Sequence, residues 1–265
     1  MMSITFYKYQ GAGNDFIMID NRNSQFPTED RRACIARYCD RHFGVGADGL
    51  ILLEAAHGYD FAMRYYNADG GESTLCGNGG RCIVAFAHFL GLVGERCRFL
   101  ATDGPHEARL RPDGWIELQM QDVTAIDQRP AASVLNTGSP HYVAFVPDAQ
   151  AIAVVEAGRA VRYGAEFAAQ GINVNFVSAQ PETPGLTVAT YERGVEDETL
   201  ACGTGVTAAA LAWAKRHELQ GPLEMPIRAK GGRLAVRFEA QPNGQMTNIW
   251  LCGPAERVFR GEVED

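Results

Sequence analysis

The sequence predicts an α/β fold made twice over: two pseudo-symmetric domains, each a curved mixed sheet wrapped around a central helix. Three observations predict it. Cys76 and Cys202 each open a Cys-Gly-polar-Gly turn, Thr74–Arg81 in one half and Thr199–Val206 in the other. Each turn runs into a segment apolar on nearly all sides: Ile83, Val84, Ala85, Phe86, Phe89 and Leu90 after Cys76, and Val206, Ala208, Leu211, Ala212 and Trp213 after Cys202. A helix of that kind must be enclosed by other elements. Around each helix lie several short alternating or apolar runs that read as strands. The sequence repeat itself is confined to the surroundings of the two cysteines.

Taken in order, residues 4–9 and 16–20 alternate as strands and are joined by the turn Gly11–Asp15. Thr28, Glu29 and Asp30 start a helix that runs to about His42. Gly44 to Gly49 is a loop, Leu50–Leu53 a buried strand and Tyr59–Tyr66 another. Asn67–Gly71 is a turn cluster, and the Cys76 helix covers about 79–90. Strands follow at 96–102 and 105–111, and Pro112-Asp113-Gly114 turns the chain into a strand at 115–120. The polar segment 121–133 carries Pro130 and marks the crossing between domains. Strands then occupy 134–137 and 141–146, a helix 149–163, and strands 172–179 and 186–192. The Cys202 helix follows, then strands at 223–229, 233–239 and 245–252, the last two joined at Asn243-Gly244. A last strand near 255–262 returns to the first half. The domains are therefore 1–120 plus 254–265, and 121–253.

Composition narrows the function. Hydrophobic residues make up 46% of the 265 and charged residues 21%, enough for a sizeable core. A net charge of −8 argues against a nucleic-acid or anionic-membrane surface. No apolar run is long enough to span a bilayer and no signal-peptide block precedes residue 4, so a cytoplasmic location is expected. The seven cysteines show no Cys-x-x-Cys and no zinc spacing. Cys34, Cys39, Cys82, Cys97 and Cys252 read as small buried apolar residues. Cys76 and Cys202 read otherwise, because a helix N-terminus carries unsatisfied N–H groups and partial positive charge that stabilise a thiolate. Two such cysteines in matching settings suggest a thiol pair acting from opposite sides of one substrate.

Other motifs carry less. Gly44-Val-Gly-Ala-Asp-Gly49 matches G-x-G-x-x-G, but it follows a helix and precedes a strand, the reverse of a dinucleotide site. A pyridoxal enzyme needs a Schiff-base lysine, and among Lys8, Lys215 and Lys230 only Lys230, before Gly231-Gly232, is a weak candidate. Asn14, Asn67, Asn173 and Asn175 individually suit turns or caps. Together with Arg193 they suit an amino acid, with the guanidinium on a carboxylate and carboxamides on ammonium groups. His141, at a strand start after Gly138-Ser-Pro140, is as compatible with a structural role as with a place beside a cysteine.

Gly13-Asn-Asp-Phe16, Asn67-Ala-Asp-Gly70, Cys76-Gly-Asn-Gly79, Tyr191-Glu-Arg-Gly194 and Ala201-Cys-Gly-Thr-Gly205 together resemble the diaminopimelate epimerase family, in the family's order and across nearly the whole chain. The resemblance implies two pseudo-symmetric domains with the active site in the interdomain cleft, a homodimer, and a reaction with no cofactor and no metal. By motif, Cys76 and Cys202 are the acid/base thiols and His141 and Glu192 tune them. Asn14, Asn67, Gly77, Asn78, Asn173, Glu192, Arg193, Gly203 and Thr204 contact the substrate. The implied reaction is epimerisation of LL- to meso-diaminopimelate, a step towards lysine and cell-wall precursors. Three departures stand out: Ser139 where many members have Asn, Gly49 where some have Gln, and a loop between Arg193 and Cys202 one residue longer than in many members. A proline or hydroxyproline racemase, a nicotinamide oxidoreductase using Gly44–Gly49, and a non-catalytic binding protein are the alternatives. Polar ligands for a second amino-acid end argue against the first and the paired thiols against the third, while nucleotide binding would reveal the second and none is expected.

Overall fold

The computed structural model describes residues 3–180 and 184–264 and divides the chain into two compact units. One runs to Leu118 and resumes at Gly253; the other is Gln119–Cys252. The first contains β1 (Ser3–Gly11), β2 (Asn14–Asp20), α1 (Arg31–Cys39), β3 (Gly49–Glu54), β4 (Phe61–Asn67), β5 (Glu72–Ser73), α2 (Gly77–Phe89), β6 (Arg96–Ala101), β7 (Gly104–Leu110) and β8 (Ile116–Gln119). The second contains β9 (Asp127–Gln128), β10 (Ala132–Asn136), β11 (Pro140–Phe145), α3 (Val154–Arg162), β12 (Asn173–Ala179), β13 (Leu186–Glu192), β14 (Asp197–Thr199), α4 (Gly203–Arg216), β15 (Gly221–Ala229), β16 (Gly232–Ala240) and β17 (Met246–Gly253). The chain then returns to the first unit as β18 (Glu256–Glu264), antiparallel to β1.

The two units share one topology. In the first, β18, β1 and β2 are antiparallel, β2 and β3 parallel, β3 and β4 antiparallel. Beyond β4 lie antiparallel β5 and parallel β6, then antiparallel β7 and β8. The second repeats this step for step as β9, β10, β11, β12, β13, then β14 and β15, then β16 and β17. Each sheet curls: α2 packs against β18, β1, β2, β3 and β7, and α4 against β10, β11, β12, β13, β15 and β16. That enclosure accounts for the apolar character of both helices all round, with Ile83, Val84 and Phe86 on α2 and Ala208–Ala212 on α4 buried.

Two expectations from sequence are corrected, and three short strands are added. The first helix ends at Cys39, because the Asp40 carboxylate accepts the N–H groups of His42 and Phe43 at 2.7 and 2.8 Å and closes a turn. The helix expected from 149 begins at Val154, and the Ala149 N–H donates to Ser178 Oγ at 3.1 Å. Glu72–Ser73, Asp127–Gln128 and Asp197–Thr199 form short strands that no periodicity announces.

Candidate active site

Cys76 and Cys202 are the N-cap residues of α2 and α4, both in extended backbone conformation and neither side chain capping its helix. An N-cap serine or aspartate would spend its oxygen on the N2 or N3 N–H. Neither thiol makes that bond here, and the N-terminus of a helix favours negative charge placed beside it. The first helical bonds are Gly80 N to Cys76 O at 2.7 Å and Val206 N to Cys202 O at 2.9 Å.

In the first unit a polar chain surrounds Cys76. Its thiol donates to Asn14 Oδ1 at 3.7 Å, and Asn78 Nδ2 donates to the same oxygen at 3.3 Å. Asn78 Oδ1 accepts from Arg81 Nη2 at 3.0 Å, and Arg81 Nη1 donates to Gly77 O at 3.3 Å. Arg81 is fully buried one turn into the helix, a place where a cation meets the unfavourable end of the dipole. On the other side Asn14 Nδ2 donates to Asp48, which also pairs with Arg41 at 2.7 Å. Burial pushes the Asp15 carboxyl up, but bonds from Arg41 and Lys8 outweigh it and bring it down to about 2. Gly11 must stay small here: a Cβ would stand 3.1 Å from Cys82 Sγ and 3.3 Å from Asn78 O. Asn67 sits apart from this chain, at the exposed end of β4 opposite Gly49 in register. Gly49 has no room for more, since a Cβ would meet the Tyr65 ring at 2.6 Å.

In the second unit Cys202 Sγ lies 3.4 Å from Thr204 Oγ1. Thr137 Oγ1 donates to Thr204 O at 2.8 Å and ties the helix start to β10. Gly203 is the first residue of α4 and its carbonyl accepts from Thr207 at 2.9 Å. His141 is fully buried, its Nδ1 3.1 Å from Asn175 Nδ2, while Asn175 Oδ1 accepts from Thr190 at 2.9 Å. Burial, with a smaller push from Arg193, lowers the His141 pKa from 6.5 to about 3, so the ring is neutral in neutral solution. Its Nδ1 then accepts from Asn175 and the proton sits on Nε2. Burial raises the Glu192 carboxyl, with the Thr199 hydroxyl pulling the other way. Asn173 Oδ1 accepts the Arg193 N–H at 2.8 Å, and its Nδ2 donates to Ser139 Oγ at 2.9 Å. The shorter Ser139 is thus bonded directly to a candidate ligand. The Arg193 guanidinium is held at one end by Gln170 O at 3.0 Å. The longer loop after it is anchored by Glu196, whose carboxylate accepts from Tyr163, Tyr191 and Gly194 N.

The remaining candidates fall away from the chemistry. Burial pushes the Cys39, Cys82 and Cys97 thiols up to about 12, in keeping with inert core residues. Lys230 pairs with Glu198 at 2.5 Å on an exposed edge. Arg81 and Thr190 are the residues that sequence reasoning left outside the site. The available signal was a polar side chain inside an apolar run, as with Arg81 in α2.

These features define a protein class in which one α/β unit is repeated within a chain. The fold agrees with solved structures of that class. A PhzF-family phenazine biosynthesis protein from Bacillus anthracis superposes with a TM-score of 0.75 over all of both chains, at 13% identity. A hydroxyproline epimerase from Agrobacterium vitis gives 0.69, covering 98% of this chain and 92% of that one, at 14% identity. Sequence is more specific. The diaminopimelate epimerase family model matches residues 6–126 and 133–258. The diaminopimelate epimerase of Flavobacterium psychrophilum is 48% identical over 97% of this chain and 99% of its own length. That of Chlorobaculum tepidum is 41% identical over 96% and 98%. The chain belongs to the diaminopimelate epimerase family. Among the described residues, no helix is long and apolar enough to cross a membrane.

Proposed function

We propose that this isomerase converts LL-2,6-diaminopimelate to meso-diaminopimelate without a cofactor, as a homodimer in the cytoplasm, on the route to lysine and peptidoglycan precursors. Cys76 and Cys202 are the proton carriers. The observation that carries this reading is the pair of N-cap cysteines that leave their helices uncapped in two units of one topology.

The Cα proton of an amino acid is a very weak acid, so the carbanion must be met by fixed dipoles. The N–H groups at Gly77-Asn78 and Gly203-Thr204 supply them for the α-carboxylate. One cysteine acts as thiolate and takes the proton from one face; the other, as thiol, returns a proton to the opposite face. His141 and Glu192 set the balance between the two forms. Neutral His141 adds no charge of its own, and an uncharged Glu192 is favoured by its burial. Arg193 takes a carboxylate through its planar fork, and Asn14, Asn67 and Asn173 bind the polar groups of the distal end.

An epimerisation assay with LL-diaminopimelate beside L-proline and trans-4-hydroxy-L-proline tests the assignment. Conversion of diaminopimelate alone is expected. Turnover of either imino acid with diaminopimelate untouched would overturn it.

A further inference from the structure

We propose that Asp48 is a positioning residue for Cys76, acting through the side-chain amide of Asn14. An amide has a donor end and an acceptor end, and which end faces the thiol decides which form of the thiol it favours. Two amides, Asn14 and Asn78, stand in line between a carboxylate and a guanidinium. The Asp48 carboxylate only accepts, so Asn14 Nδ2 must turn towards it. The Arg81 guanidinium only donates, so Asn78 must turn its Oδ1 to Arg81 at 3.0 Å. Asn78 Nδ2 then points to Asn14 Oδ1 at 3.3 Å. Both ends of the line give the same answer: Asn14 shows its oxygen to Cys76.

Asp48 is itself fixed. Its Oδ2 accepts the Asp15 N–H at 3.2 Å along with Asn14, and its Oδ1 takes Arg41 at 2.7 Å. Arg41 is shared with Asp15, which the buried Lys8 holds from β1 at 2.8 Å. The charged groups bonded into this line are therefore Asp48, Arg41, Asp15 and Lys8 on one side and Arg81 from α2 on the other. Asp103, from the β6–β7 turn, accepts the Leu75 N–H at 3.4 Å. An oxygen facing Cys76 accepts from S–H and gives nothing to S⁻, so the line favours the thiol form of Cys76 when no substrate is bound. Turning the amide over would place N–H at the sulfur and favour thiolate.

The inference rests on the reading of Cys76 as a proton carrier, but its test needs no substrate, so failure of one is separable from failure of the other. The pH dependence of Cys76 alkylation by iodoacetamide is followed by peptide mass spectrometry in a Cys202→Ala background. Asp48→Ala and Asp48→Asn remove the same charge, yet asparagine still offers Asn14 an acceptor oxygen. With Asn78→Ala added to both variants, so that Arg81 no longer orients Asn14 from the other end, the midpoint in Asp48→Ala is expected roughly one pH unit below that in Asp48→Asn. Coincident midpoints would mean that charge alone acts, and would overturn the proposal, as would a higher midpoint in Asp48→Ala. A measurement on the unsubstituted chain does not depend on any variant folding. The Asn14 side-chain NH₂ protons are expected to give nuclear Overhauser contacts to the Asp15 amide proton, which shares the same Asp48 oxygen. Contacts to the Cys76 β-protons in their place would contradict it.

Discussion

Cys76 and Cys202 stand at the same point of the same topology, over floors of different chemistry. Strand register aligns Phe16 with His141, Ile51 with Asn175 and Tyr65 with Thr190. In the first unit this floor is apolar: the Phe16 and Tyr65 rings meet edge-on at 5.9 Å, and Ile51 Cδ1 lies 3.0 Å from where a Cβ on Gly79 would stand. In the second unit it is a hydrogen-bonded triad, and a Cβ on Gly205 would collide with Asn175 Oδ1. Five residues after each cysteine a buried side chain donates to the first helical carbonyl, Arg81 in one unit and Thr207 in the other. One helix start therefore contains a buried cation and the other does not. The second ligand positions differ as well, with Asn14 aligned to Ser139, Gly49 to Asn173 and Asn67 to Glu192. The duplication keeps the backbone device, an uncapped helix N-terminus behind a cysteine, and lets everything around it diverge. Under the proposed mechanism, two thiols that differ in protonation at the same moment need that divergence.

The largest effects should come from what the units share. Cys76→Ala and Cys202→Ala are each expected to abolish epimerisation with the thermal unfolding midpoint little changed; substantial turnover in either variant would remove that thiol from the mechanism. Next in size is Arg193→Lys, at the proposed carboxylate ligand, which has no counterpart in the first unit. Steady-state kinetics should show a strong loss, because an ammonium group does not reproduce a planar two-pronged contact. Near-normal kinetics would make Arg193 structural.

Two smaller effects probe the floors. Gly205→Ala must displace a bonded amide, and overpacking of this kind costs about 1–3 kcal/mol. Gly79→Ala meets only the Ile51, Met63 and Phe16 side-chain ends, and the gain of about 1 kcal/mol in helix propensity offsets much of that contact. Urea unfolding should rank Gly205→Ala as the more destabilised; the reverse order would mean that the amide of Asn175 yields more easily than the apolar floor. The smallest effect concerns pH. His141 is pulled from 6.5 to about 3 on folding, so between those values the unfolded chain binds the extra proton. Stability contributed by this group is complete above pH 6.5 and is lost as pH falls towards 3. His141→Phe, which copies the residue aligned with it in the first unit, should flatten that part of the acid-unfolding curve. An unchanged curve would place the acid sensitivity in other groups.

Much of this architecture is legible in the residues. The two cysteine turns and the apolar helices behind them show the doubling, and alternation places most strands within a residue or two. The short strands β5, β9 and β14 are not legible, because two or three paired residues in polar turn-rich sequence leave no period to detect. The full extent of the repeat is hidden for a physical reason: aligned floor positions exchange aromatic and aliphatic side chains for imidazole, carboxamide and hydroxyl. Arg81 escapes notice because its meaning lies in what it faces. An arginine on a helix looks solvated until the fold brings Asn78 against it.

The central claim is that two thiols carry protons on opposite faces of one carbon, and isotope transfer tests it most directly. The reaction is run in heavy water from one pure stereoisomer and sampled early. The thiolate that removes the substrate proton holds only that proton, while the opposite thiol has equilibrated with solvent and carries deuterium. Product should therefore gain deuterium at Cα almost from the first turnover, with recovered substrate largely protiated, and the opposite starting isomer should give the mirror result. Early product that retains the original proton would mean a single base carries it across the carbon, and would contradict the two-thiol account.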